Sequence, residues 1–199
     1  MTEEQKTKEW DFSKANWPGV LGGLLLIILP FTGSWWEMHV GTGAFDVALS
    51  PFTTEILMFG EFVLSPLLYW MNIAFTILML LFGILLLTGS ICFANEKYRL
   101  TADIIIKSNS RKPLYLIIVF TIGLAIVSWY MGQMLLVSGF TGDFPILMGE
   151  GSASMASGIF TIIVPVSLGL STSYWIGLVA AVIAIIAGFY QMKINPAEE

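Results

Sequence analysis

PLLYWMNIAFTILMLLFGILLLTGSICF, residues 66–93, contains no Asp, Glu, Lys, Arg or His. It exceeds the roughly 20 residues a helix needs to cross a hydrocarbon core about 30 Å thick. Three further apolar runs lie near 17–36, 113–137 and 174–192. Pro66 and Pro113 stand at first helical positions, where a missing amide does no harm, and Ser171, Thr172 and Ser173 offer caps for the fourth run. The expected fold is a membrane all-α four-helix bundle carrying a small extracellular antiparallel β-sheet. Residues 1–199 form one membrane domain in this reading, with outer loops 37–65 and 138–173 and an inner loop 94–112.

Composition agrees: 56% of the chain is hydrophobic and 12% charged, with mean hydropathy +0.82. Soluble domains carry about 25% charged residues. At 199 residues a single compact bundle is expected, without a separate catalytic module. The net charge of −5 offers no basic patch, so no nucleic-acid partner is expected. Cys92 is the only cysteine, which removes intrachain disulfides and thiolate clusters.

Orientation follows from the basic residues, which accumulate on the cytoplasmic side of a membrane. Lys6, Lys8 and Lys14 precede the first run. Lys97, Arg99, Lys107, Arg111 and Lys112 lie between the second and third, and Lys193 ends the fourth. Both termini are therefore expected in the cytoplasm of a multi-pass cell (plasma) membrane protein. The outer loops hold Glu37, Asp46, Glu55, Glu61, Asp143 and Glu150, read as a solvated acidic surface or a cation-attracting vestibule. The first run continues through Pro30 to Trp35 and Trp36 without a small-residue cleavage site, unlike a signal peptide.

The outer loops carry strand signals. Residues 35–40 (WWEMHV) and 44–49 (AFDVAL) flank Gly41-Thr42-Gly43, and Phe45, Val47 and Leu49 alternate with Ala44, Asp46 and Ala48, which predicts a hairpin. Residues 53–59 add a third strand. Residues 138–157, rich in Gly and Ser, read as irregular. A helix running back from the fourth run to residue 159 would span about 51 Å and contain Pro165. Residues 159–164 are therefore read as a strand joining the first loop's sheet, with a kinked helix extension or re-entrant segment as the alternative. In the inner loop, Ile104, Ile105 and Ile106 lie against the membrane or the bundle, and the five basic residues set topology or meet anionic headgroups.

Ionisable groups inside spans mark proton relays and ion paths. None lies between the ends of these four runs, which argues against a proton-coupled transporter. His39 is the only histidine. A strand puts it on the opposite face from Met38, and with no second clear ligand it makes a weak metal site. No catalytic residue, cofactor site or metal site is assigned. Gly19 and Gly23, Gly177 and Ala181, and Ala180 with Ala184 and Gly188 form small-residue stripes, read as close helix packing within the bundle or against another subunit.

Four helices, a longer first outer loop with strands opening at Trp35 and Trp36, and a second loop offering one more strand resemble the claudin-type tetraspan layout. The family's Gly-Leu-Trp motif and paired extracellular cysteines are missing, so its sealing role is not carried over. The expected function is non-enzymatic: structural assembly or cell-surface interaction through the outer β-rich loops, with Trp35, Trp36, Phe45, Val47 and Leu49 as the candidate surface. Its partners would be the lipid bilayer and copies of itself or other membrane proteins. The alternatives are an accessory subunit of a larger respiratory or channel complex and a self-assembling channel.

Overall fold

The structure, a computed structural model, describes residues 10–137, 139, 141–157 and 160–194. Its helices are α1 (Trp17–Ile28), α2 (Pro66–Cys92), α3 (Arg99–Asn109), α4 (Lys112–Val137) and α5 (Thr172–Ile194). α2, α4 and α5 are long and apolar enough to cross a membrane, and their bounds match the expected runs within two residues. The strands are β1 (Trp36–Val40), β2 (Phe45–Leu49), β3 (Thr54–Met58), β4 (Glu61–Phe62), β5 (Thr141–Asp143), β6 (Gly149–Ser157) and β7 (Phe160–Leu170).

The chain folds as two compact units. The bundle unit comprises Met1–Leu29, Leu78–Tyr115 and Gly177–Glu199. The side chain of Asn16 starts α1 by accepting from the Gly19 amide (3.0 Å), with Pro18 in the first turn. Before it, Asp11 caps a short turn. Its carboxyl is held below the ordinary value by the Ser13 hydroxyl and then by Lys14. α1 and its 3-10 extension end at Phe31, about 22 Å of helix, because Pro30 breaks the hydrogen-bond ladder and Gly33 turns the chain at φ +93°. The first run therefore stops short of residue 36, and Trp36 begins a strand instead.

Small residues let the helices of this unit touch. A Cβ on Gly23 would stand 2.7 Å from the Leu87 amide nitrogen and 2.8 Å from the Gly83 carbonyl oxygen of α2. One on Gly19 would strike the Ser90 hydroxyl, and one on Gly22 would lie 3.2 Å from the Ala184 amide of α5. Gly177, Ala181, Ala184 and Gly188 are buried on α5, and Gly188 faces Ser110. A buried polar chain accompanies this packing. Asn16 Nδ2 donates to the Ala187 carbonyl (2.9 Å) and to Gln191 Oε1 (3.1 Å), and Gln191 Nε2 donates to Asp103 Oδ1 (3.0 Å). Asp103 also pairs with Lys107 at 2.8 Å.

The inner segment 94–112, expected as a loop, contains α3. Its buried residues Ala102, Ile106 and Asn109 follow helical spacing, and the Asp103–Lys107 pair spans one turn. Ile106 is buried while Ile104 is exposed. Pro113 prevents α3 from running smoothly into α4.

The sheet unit comprises Pro30–Ile77 and Leu116–Ile176. Its seven strands form one open antiparallel sheet in the order β4-β3-β2-β1-β7-β6-β5. The predicted hairpin is present as β1 and β2, with Gly41 and Gly43 at φ +68° and +79° in its turn. β3 is the expected third strand. Residues 141–143 and 149–157, expected to be irregular, are β5 and β6. β7 does join the first loop's sheet, but through residues 166–170 opposite β1, and it passes through Pro165.

Candidate interaction surface

Strand parity sorts the sheet into two faces. Trp36, Met38, Val47, Val166, Leu168 and Ala153 face one way and bury against Leu124 of α4, with Phe45, Leu49, Phe120 and Met131 packed around them. Trp36 is fully buried and its indole nitrogen donates to the Leu147 carbonyl at 2.8 Å. Trp35 is also fully buried, with Phe52, Phe120 and Tyr174 edge-on around it at centroid distances of 5.4, 5.6 and 5.9 Å. Among the described residues its indole N–H has no hydrogen-bond partner. Trp35, Trp36 and Val47 are thus core residues, and Phe45 and Leu49 are half-buried at its margin. The alternation in the sequence identifies an apolar face, and in the folded unit that face covers the core.

The opposite face is polar. His39 Nδ1 lies 2.8 Å from Asp46 Oδ1, and Glu37 Oε2 is 3.9 Å from His39 Nε2. His39 also stands opposite Ser167, which in turn stands opposite Glu150. Among the described residues no group of three His, Cys, Asp or Glu side chains is placed to hold a metal ion.

Exposed apolar groups collect at two other places. At the β3–β4 turn, Phe59 holds φ +52°, a conformation disfavoured for a side chain of its size, and is 83% exposed. Phe62 and Leu64 follow it, also exposed. The second place is the far half of β7, where Phe160, Ile162 and Ile163 are exposed and no charged residue occurs between Glu150 and Lys193.

That half of β7 is an open edge. β1 accompanies β7 only as far as Val40 opposite Val166, closed by the Gly41 amide donating to the Pro165 carbonyl at 2.8 Å. Among the described residues, 160–164 have β6 on one side and no strand on the other. In an antiparallel strand the N–H and C=O of one residue point to the same neighbour, and alternate residues share a side. Since Pro165 faces β1, the backbone groups of Ile163 and Thr161 face the open side. Exposed strand edges are normally blunted by charge, proline or shortness. The outermost strands β4 and β5 are short, whereas residues 160–164 carry no charge and no proline.

The chain matches no protein-family model and no curated protein.

Proposed function

We propose that this is a non-enzymatic multi-pass membrane protein whose copies assemble by β-strand pairing at the open edge of β7. In the sequence every basic residue precedes the first apolar run, lies between the second and third, or follows the fourth, which supports a cytoplasmic position for both termini and an outer position for residues 37–65 and 138–173. The observation that carries the reading is the uncharged, β-branched edge at residues 160–164, where the outward backbone groups of Thr161 and Ile163 meet no strand among the described residues. Such an edge is a template for another strand.

A second copy fits it by symmetry. Two β7 edges related by a two-fold axis through Ile162 place Thr161 of each opposite Ile163 of the other, so the free backbone groups satisfy each other. Ile162 then faces its own counterpart in a non-hydrogen-bonded pair, with Cα atoms about 4.5 Å apart. That distance suits a disulfide.

The test is Ile162→Cys in a Cys92→Ser background, oxidised mildly in native membranes. A disulfide-linked dimer at residue 162, with much weaker cross-linking from Glu55→Cys on β3, is the expected result. Absence of a dimer from cysteines at 161, 162 and 163, together with a monomeric mass after gentle extraction, would refute self-pairing. Co-purification of a different subunit cross-linked at 162 would instead favour the accessory-subunit reading.

A further inference from the structure

Within the bundle unit, two helical stripes border an open cleft of about 230 Å³. One stripe carries Lys107, Ser110 and Arg111, at positions i, i+3 and i+4 across the end of α3. The other carries Ile185, Gly188, Phe189 and Met192, at i, i+3, i+4 and i+7 along α5. The walls approach closely because residue 188 is glycine, since a Cβ there would collide with the Ser110 side chain.

One wall is cationic and the other apolar. Asp103 holds the Lys107 ammonium at 2.8 Å and is itself fixed by Gln191, which leaves Lys107 two further N–H donors. The Ser110 hydroxyl donates to the Lys107 carbonyl at 3.4 Å. Arg111 is exposed and makes no ion pair among the described residues, so the cleft stays positive although Asp103 offsets Lys107. Lys112 does not add to it directly, because its ammonium lies over the Phe82 ring and donates to Asn109. Phe189 and Met192 are exposed beside these cations. The cleft also lies where α4 begins and α5 ends, the level at which an apolar helix meets the headgroup layer.

We propose that this cleft binds an anionic phospholipid, its phosphate between Lys107 and Arg111 and an acyl chain along Ile185, Phe189 and Met192. A soluble phosphate would engage only the cationic wall, and a neutral lipid chiefly the apolar one. Both walls together select a ligand that is anionic and amphiphilic.

Native mass spectrometry of the full chain, released from nonionic detergent with equal amounts of phosphatidylglycerol and phosphatidylcholine of the same chain length, tests the assignment. Phosphatidylglycerol should be retained preferentially. Arg111→Gln should weaken its retention about fivefold, and Lys107→Gln with Arg111→Gln about twenty-five-fold. Arg111→Lys should restore the preference, and Phe189→Ser should weaken retention without changing charge. Thermal unfolding of Arg111→Gln at the wild-type temperature shows that its loss is not one of folding. Equal retention of the two lipids, or full preference in the double variant, would overturn the site. Displacement of the lipid by millimolar inorganic phosphate would assign the cleft to a soluble anion and overturn the lipid reading.

Discussion

Replacing Gly23 by alanine should separate α1 from α2. The added methyl would stand 2.7 Å from the Leu87 amide nitrogen, 2.8 Å from the Gly83 carbonyl oxygen and 2.9 Å from the Leu87 Cα. All three are backbone atoms of α2, so no side chain can swing aside, and the helices must part by about 0.7 Å to reach the 3.4 Å of ordinary contact. Between membrane helices, close van der Waals packing does much of the work that apolar burial does in water. The methyl should therefore destabilise the unit by about 1–3 kcal/mol, the usual cost of overpacking. Gly123 of α4 is the internal control. A Cβ there meets none of the described residues within 4 Å, and alanine should be neutral or stabilising by up to about 1 kcal/mol through its better helix propensity. Unfolding by titration with SDS in mixed micelles, followed by circular dichroism, measures both. Gly83→Ala addresses the same contact from the other side, so Gly23→Ala with Gly83→Ala should cost less than the two single changes added together. If Gly23→Ala unfolds together with Gly123→Ala, the close approach of α1 to α2 is refuted.

Trp36→Phe should destabilise the sheet unit by about 1 kcal/mol more than Trp35→Phe. Both indoles are fully buried, but only Trp36 donates a hydrogen bond, to the Leu147 carbonyl, which would be left unsatisfied. Equal losses in the same titration would count against that bond. Gln191→Leu should cost only about 1 kcal/mol, because Asn16 keeps the Ala187 carbonyl and Asp103 keeps Lys107. Asn16→Ala should cost more, since it also removes the cap of α1. The reverse ranking would show that the polar chain is centred on Gln191 and not on the helix cap.

Much of the helical architecture was legible in the sequence because its signal is local. Runs such as 66–92 owe their structure to the intrahelical hydrogen bonds that a bilayer enforces, and their ends matched within two residues. The β1–β2 hairpin was equally legible, since a glycine-bounded turn and a period of two fix it without help from the rest of the chain. What failed depended on distant partners. The run from 17 kept its hydrophobicity as far as Trp36, but hydrophobicity does not register that Trp35 and Trp36 are consumed by a core of Phe52, Phe120, Tyr174 and Leu124 from remote segments. Asn16 and Gln191 stand 175 positions apart, so their bond had no sequence signature.

Residues 149–157, GEGSASMAS, show how the candidate edge was hidden. Their small side chains give no alternation on either face, and they are extended because β7 pairs with them along their whole length. Pro165 counted against a helical extension, and the expected strand stopped before it at residue 164, although a proline is also unusual inside a strand. Here the missing amide falls on the β1 side, opposite Gly41, one residue past the end of β1. The ladder loses a donor only at its last rung, while the Pro165 carbonyl still accepts from Gly41. That placement lets β7 run on beyond its neighbour, and it assigns the next free backbone groups on that side to Ile163 and Thr161. The residue that interrupts a helix here thus lies on the rung that fixes which atoms of the strand's far half face an incoming one.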